Sequence, residues 1–357
     1  MTRSIFRLEV LHAGHGDCLW VEYGESTAPH RIVIDCGTTG TAASIAAKLK
    51  NARGQPGTNE LLVITHVDAD HIAGALPVIA DPANADLFQD VWFNGRHHLE
   101  PGGGLESFGA VQGERLTQSL LDNKFPWNRA FSSGSISVQE NGTPQKVTLP
   151  GGAQLTILSP TWQKLRALQT KWDKEVRDAG LDPRSASAER APVPAGFEAF
   201  GFSVDALADF PFTEDDTTPN GSSIAFLLEY QAKSMLLSGD AHPSVLLRAC
   251  EQLNGGNKFP VTLLKIPHHG SKNNVCRELV EFIPCSYAVF SSNGAYYAHP
   301  DKEAVARVVK YAPAGVKLVF NCRTKFNEIW DSDSLRTKWA YTTRYGKGNE
   351  GIVIDLL

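Results

Sequence analysis

The chain opens as short apolar stretches cut by turn residues. Positions 4–11 (SIFRLEVL), 17–23 (DCLWVEY) and 31–35 (RIVID) are separated by Gly-, Pro- and Ser-containing turns, which predicts three strands of an antiparallel meander. The Ala-rich stretch from 40 to 50, with Ile45 and Leu49 one helical turn apart, predicts a helix; a Gly/Pro loop then leads into a strand over 61–65. A further helix begins at Ile72, and strands are expected over 90–94 and 153–158, with mixed, weak patterns between 102 and 150. Residues 161–180 carry an amphipathic helical pattern, whereas 181–220 are rich in Pro, Ser, Ala and acidic residues with little period. Together 160–220 read as an insertion, partly mobile. Regular patterning returns with strands over 222–230, 234–238, 261–266 and 287–291, alternating with helices near 244–253, 275–282 and 301–311. Strands near 316–320, 338–343 and 351–356 close the chain, those beyond 312 forming a C-terminal strand extension. Two halves, each of strands followed by helices, predict an α/β sandwich of two sheets with helices outside.

Composition narrows the setting. A length of 357 residues suits one large α/β domain and does not force a split. The net charge of −5 does not draw in polyanions, so any nucleic-acid contact needs a local basic patch. The start lacks the apolar core and small-residue site of a secretory leader, and no apolar run reaches membrane-spanning length. A soluble, cytoplasmic protein without membrane contact is expected. The six cysteines are scattered without CxxC pairing and read as buried free thiols.

Chemistry concentrates where strands end. Thr65-His66-Val67-Asp68-Ala69-Asp70-His71 follows an apolar strand and sets four metal-competent side chains within six residues. Imidazole and carboxylate are the ligands that divalent cations take from proteins. Other polar residues also follow predicted strands: Asp35, His97 or His98, Asp240, His268 or His269, and His299. Strand ends on one edge of packed sheets converge, so these residues could supply the six to eight ligands, roughly, that two cations need. Gly14-His15-Gly16 and Gly102-Gly103-Gly104 lack the context of a nucleotide loop and read as turns, and His12 and His15 read as structural. Lys265, Lys272 and Arg277 flank the late histidines; solvated surface charge is the expectation, with phosphodiester contact as the alternative.

His66-Val67-Asp68-Ala69-Asp70-His71, with Gly74 beyond it, resembles the metal-binding signature of the metallo-β-lactamase fold superfamily. Leu11-His12-Ala13-Gly14-His15-Gly16-Asp17-Cys18, Ile34-Asp35-Cys36-Gly37, Leu237-Ser238-Gly239-Asp240 and Pro267-His268-His269-Gly270-Ser271 resemble its other motifs. Within it the chain is most similar to the hydrolase domain of the competence DNA-uptake protein ComEC. The likeness lies in Asp rather than His at 68, the turn at 14–17, Asn220-Gly221-Ser222-Ser223, the HHGS at 268–271 and His299-Pro300. The resemblance implies a single domain with a four-layer αββα sandwich. It assigns one metal to His66 and Asp68 and a second to Asp70, His71 and His269, with Asp240 bridging and Asp35 orienting ligands from behind. His97 and His98 are the only histidines between the first cluster and Asp240, so either His98 or its neighbour stands for a further ligand, against a plain loop pair.

The activity so implied is that of a hydrolase using hydroxide activated by two divalent ions, zinc first and manganese as competitor because Asp68 hardens the ligand set. Asp70 would hold the attacking water, and His268 or His299 would protonate the leaving oxygen; for His299 a cap before the following helix competes. A phosphodiester of nucleic acid or a nucleotide is the expected substrate. Two alternatives share the site: hydrolysis of a carboxylic ester, lactone or amide, and a non-catalytic regulatory subunit docking a protein partner on the 160–220 insertion.

Overall fold

The computed structural model describes residues 3–99, 111–132, 134–139, 142–169, 202–348 and 350–357. The first sheet begins with the meander β1 (Ser4–Val10), β2 (Leu19–Glu25) and β3 (His30–Ile34). After α1 (Ala42–Arg53) the chain returns as β4 (Thr58–Val63), parallel to β3. Two short helices, α2 (Ala69–Ile72) and α3 (Leu76–Ala80), lead to β5 (Asp90–Trp92), parallel to β4. Then α4 (Val111–Asp122) packs against α3 on the outer face of the first sheet.

That sheet starts with β6 (Lys146–Thr148) and β7 (Gln154–Ser159). A helix α5 is described over 162–169, and residues 170–201 of the expected insertion lie outside the described residues. The chain resumes through α6 (Val204–Ala208), α7 (Thr218–Gly221), β8 (Ala225–Tyr230) and β9 (Lys233–Leu237). From β9 onward the strands run parallel: α8 (Pro243–Asn254) precedes β10 (Val261–Lys265), α9 (Arg277–Phe282) precedes β11 (Cys285–Phe290), and α10 (Lys302–Tyr311) precedes β12 (Lys317–Phe320). Last come α11 (Asp333–Trp339), β13 (Thr342–Tyr345) beside β12, and β14 (Ile352–Asp355), which crosses back to pair antiparallel with β1. The result is a six-stranded sheet, β14-β1-β2-β3-β4-β5, and an eight-stranded sheet, β13-β12-β11-β10-β9-β8-β7-β6.

The period-two alternation of a strand places its residues in two different cores. Leu61 and Val63 of β4 join the apolar layer between the sheets, whereas Leu62 and Ile64 face the cluster containing Ile45 and Leu49 of α1, Val78 of α3 and Leu116 of α4. In the second sheet Leu263 and Val289 face the inter-sheet layer, whereas Leu264 and Ala288 face Leu246 of α8, Leu279 of α9 and Val305 of α10. Three apolar layers therefore separate four layers of structure, helix, sheet, sheet and helix, and the α/β sandwich expected from the alternation is present. Burial on both faces explains why β4, β10 and β11 read as nearly continuous apolar runs.

Two elements differ from the sequence reading. The strand expected near 338–343 is instead the end of α11, stopped by Ala340 in the left-handed region (φ 52°), and pairing begins only at Thr342. The expectation failed because Tyr341, read as a strand residue, is buried by donating its hydroxyl to the Trp330 carbonyl at 2.8 Å. Within the weakly patterned 102–150 stretch, α4 forms because Leu116 and Leu120, four apart, make a narrow stripe that α3 covers, in one apolar cluster with Leu62 of β4. All six cysteines are buried and unpaired. No helix among the described residues is long and apolar enough to cross a membrane.

Candidate metal centre

Strand ends from both sheets meet on one edge. From the first sheet come Asp35 after β3 and the His66–His71 cluster after β4; from the second come Asp240 after β9, His268 and His269 after β10, and Ser291 after β11. Backbone and side-chain bonds stitch the two edges together. Ile224 N donates to Thr65 O at 2.9 Å, Asn293 N to Gly14 O at 2.9 Å, and Ser291 Oγ to Gly16 O at 3.1 Å. The 13–17 turn lies directly on the cluster: a Cβ on Gly16 would fall 1.7 Å from the Asp70 carbonyl, so only glycine allows that approach.

Three histidines are fixed from behind. His71 Nδ1 lies 2.7 Å from Asp35 Oδ2, and Asp35 is itself held by the Thr65 amide (2.8 Å) and hydroxyl (2.7 Å). Because the Thr65 hydroxyl proton goes to Asp35, His66 Nδ1 donates to that oxygen, 3.0 Å away. His269 Nδ1 donates to the Ser291 carbonyl at 2.8 Å, an atom that can only accept. With all three Nδ1 protons committed, each Nε2 points inward and offers a lone pair whenever its ring is neutral. His71 Nε2 and His269 Nε2 face each other at 3.2 Å, and His66 Nε2 is buried with no hydrogen-bond partner.

Asp240 Oδ2 is the focus of these lone pairs. It lies 3.3 Å from His71 Nε2, 3.6 Å from His269 Nε2, 3.8 Å from His268 Nε2 and 3.9 Å from His66 Nε2, while Asp240 Oδ1 is buried without a partner. Asp70 Oδ2 is 3.3 Å from His269 Nε2 and 3.9 Å from His71 Nε2. Asp68 Oδ2 is 3.5 Å from His66 Nε2, on a side chain that is 41% exposed at the mouth. Ligand atoms of Asp17, His71, Asp240 and His269 all fall within 4.8 Å of one another, and all four residues are buried. Inward lone pairs without donors between them are a donor set for a cation.

Electrostatics agree. Burial alone would depress the His71 imidazole, but the Asp240, Asp35 and Asp70 carboxylates override it and raise it well above its ordinary value. His269 is likewise opposed by burial, yet Asp240 and Asp17 push it up to about 10. Burial favours a neutral Asp240, and the His71, His269 and His268 imidazoles nonetheless hold it well below the usual carboxylate range. The pocket stabilises positive charge at the point where the Nε2 atoms meet.

Behind His269 sits a pair that the sequence reading missed. Lys265, expected as solvated surface charge, is fully buried, with Nζ 2.7 Å from Asp17 Oδ2 and 2.9 Å from the Ile266 carbonyl. Asp17 Oδ1 lies 3.4 Å from His269 Nδ1. The correction has a simple origin: Lys265 is the last residue of β10, where alternation points it inward. The one local sign of Asp17 is its place at the end of the Gly14-His15-Gly16-Asp17 turn, just before β2.

His268 occupies an unusual position. It and His269 both have left-handed backbones (φ 47° and 54°), a strained pair of the kind that persists where the surroundings over-determine it. Its Nδ1 is 2.8 Å from Asn274 Oδ1, and Asp215 Oδ2, 3.4 Å away, accepts from Asn274 Nδ2 (3.0 Å) and Asn220 Nδ2 (2.6 Å). Burial lowers the His268 pKa, but Asp240 and Asp215 raise it overall. His299 packs edge-on against His268 at 5.6 Å between centroids, with Nδ1 3.3 Å from Asp301 Oδ1. His98 stays apart from the Asp17, His71, Asp240 and His269 group: it packs edge-on against Trp127 and its Nδ1 accepts the Gly95 amide at 3.2 Å. The His97 side chain lies outside the described residues.

Residues 13–86 match the model of the Metallo-beta-lactamase superfamily. That segment carries Asp17, Asp35 and the His66–His71 cluster, and the remaining convergent residues lie beyond it. Among solved structures the chain is similar to the metallo-beta-lactamase fold protein YhfI from Bacillus subtilis, at 10% identity over 99% of this chain and 100% of that one, with a TM-score of 0.41. It is also similar to CmlA, a diiron beta-hydroxylase from Streptomyces venezuelae, at 12% identity over 100% of this chain and 54% of that one, with a TM-score of 0.40. The chain thus spans about half the length of CmlA. No curated protein matches it. The matched segment and the two-sheet sandwich agree on the metallo-beta-lactamase fold.

Two outcomes follow from the buried charges. Lys265→Met strands Asp17 without its counter-ion and is expected to cost roughly 3–5 kcal/mol in urea unfolding, most of it recovered when Asp17→Asn is added. In chelator-treated protein, the raised His269 pKa adds stability that is complete below the unfolded value of 6.5 and lost as pH rises through about 10. The melting temperature of the chelated protein is therefore expected to fall across that window, and a flat profile contradicts the assigned charge on His269.

Proposed function

We propose that this chain is a metal-dependent hydrolase of ComEC-like type that cleaves a phosphodiester of a nucleic acid or nucleotide. The observation that carries the reading is the 3.2 Å approach of the His71 and His269 Nε2 atoms beside Asp240. His66 and Asp68 would hold one divalent cation and Asp70, His71 and His269 a second, with the Asp240 carboxylate between them. Zinc suits the imidazoles, and Asp68 with the other carboxylates keeps manganese in contention. Such cations supply a water acidified toward neutral pH and a positive field for the charge that develops at phosphorus.

The chain's own residues have defined tasks in this scheme. Asp35 and Ser291 fix the tautomer and ring plane of His71 and His269, so their lone pairs stay aimed. Asp70, with its side chain partly open to solvent, is positioned to orient the attacking water. His268 keeps Nδ1 on Asn274 and Asp215, which leaves Nε2 to carry a proton toward the leaving oxygen. Its raised pKa supports that role near neutral pH. His299, whose burial lowers its pKa, stands behind His268 as a neutral neighbour. The ComEC-like assignment rests on Asp68, the turn ending in Asp17, and Asn220, which here reaches the Asp215 carboxylate that supports His268.

Metal analysis paired with a substrate panel tests this reading. Protein loaded with zinc or manganese is expected to cleave single-stranded, double-stranded or cyclic nucleotide diesters. Asp70→Ala and His71→Ala should abolish cleavage, and Asp35→Asn should lower metal affinity or rate roughly 10- to 100-fold. Turnover confined to lactones or carboxylic esters would overturn the phosphodiester assignment, and a chain that binds a protein partner and turns over neither class would overturn the enzyme reading.

A further inference from the structure

An unbroken arc of rings borders the candidate metal centre. His15 stacks on Tyr296 at 5.2 Å, Tyr296 meets Tyr297 edge-on at 4.4 Å, Tyr297 stacks on His299 at 5.8 Å, and His299 meets His268 edge-on at 5.6 Å. The arc thus runs from the 13–17 turn, which lies on Asp70, round to the histidine pair after β10. Tyr297 is its exposed member. At 50% accessibility it is the most open of the large apolar side chains among the described residues, although its neighbours His15 and His299 are partly to fully buried. Its stacking on His299, whose ring meets that of His268 with Nε2 3.8 Å from Asp240 Oδ2, sets the Tyr297 ring at the edge of the centre. Burial, then the Asp70 carboxylate, pushes its hydroxyl up to about 12.

The loop that carries the arc is held on both sides. Asn293 N donates to Gly14 O at 2.9 Å, Ala298 N to Gly294 O at 3.1 Å, and Asp301 N to Gly270 O at 2.9 Å. A Cβ on Gly294 would lie 2.2 Å from Phe326, so the turn is packed from below as well. A tyrosine that is held in place yet half exposed, beside a charged pocket, is a surface prepared for a planar partner. Every nucleobase offers such a π-face, whereas a phosphate or sugar does not.

We infer that Tyr297, backed by His299, is the subsite that stacks the base next to the scissile phosphate, which makes the substrate a nucleoside-bearing diester. This rests on the phosphodiester reading above and adds the group that the site recognises beside the phosphate. Tyr297 acts through its ring face and not its hydroxyl, which separates its two chemical features in a test.

Calorimetry on the zinc-loaded full chain tests the inference without turnover, using adenosine 5′-monophosphate and ribose 5-phosphate as probes. The base-bearing probe is expected to bind at least about fivefold more tightly. The ratio should collapse toward one in Tyr297→Ala and persist in Tyr297→Phe, with melting curves confirming that both variants are folded. Equal binding of the two probes by the wild type, or an unchanged ratio in Tyr297→Ala, overturns the inference. The phosphodiester reading fails separately, on absence of diester cleavage by the wild type, so the two failures have different signatures.

Discussion

Two imidazole nitrogens that cannot both donate sit 3.2 Å apart, one brought by each sheet. That contact is stable only if positive charge lies at or near it, because each Nδ1 proton is already committed to Asp35 or Ser291. Carboxylates of Asp70, Asp240 and Asp17 surround the contact and set its charge balance. Everything else near the edge can be understood as holding these groups in place. Asp35 reads across from β3, Lys265 neutralises Asp17 from below, and Asn220, Asn274 and Asp215 lock His268.

The fold makes this arrangement affordable in conformational terms. Strand ends are rigid because their preceding residues are buried in two apolar layers at once, so short turns after β3, β4, β9 and β10 can hold awkward geometry. Asp35, His268 and His269 all have positive φ, a backbone that residues with side chains adopt at a cost of about 1–3 kcal/mol each. The cost falls where the ligands are, and the glycine at 16 removes the one side chain that would push Asp70 away.

Much of this was legible in the sequence because the relevant signals are local. The two sheets follow from alternation in strands such as Leu61–Leu62–Val63, and the dense cluster after β4 announces itself by spacing alone. Asp35, Asp240 and the His268–His269 pair are candidates because each follows an apolar strand, and the choice of His269 between the two comes from the family resemblance. What stayed hidden is set by long-range packing. Lys265 looks like any charged residue until β10 is placed with that position facing Asp17, and Asp215 carries no local mark of its partnership with His268, more than fifty residues away. Tyr341 was read as strand because its burial under Trp330 comes from tertiary contact and not from a sheet pattern. His98 was a candidate by elimination among histidines; its contact with Trp127 is fixed by where β5 ends.

The central claim is that the inward Nε2 atoms and Asp240 form one cation site across the two sheets. Anomalous diffraction from crystals grown with zinc, collected on both sides of the zinc edge, tests it most directly. The account predicts a zinc peak touching His71 Nε2, His269 Nε2 and Asp240 Oδ2, with a second peak beside His66 and Asp68 when the first subsite fills. Zinc bound only elsewhere on the chain, with the His71 and His269 rings still in contact, would contradict it.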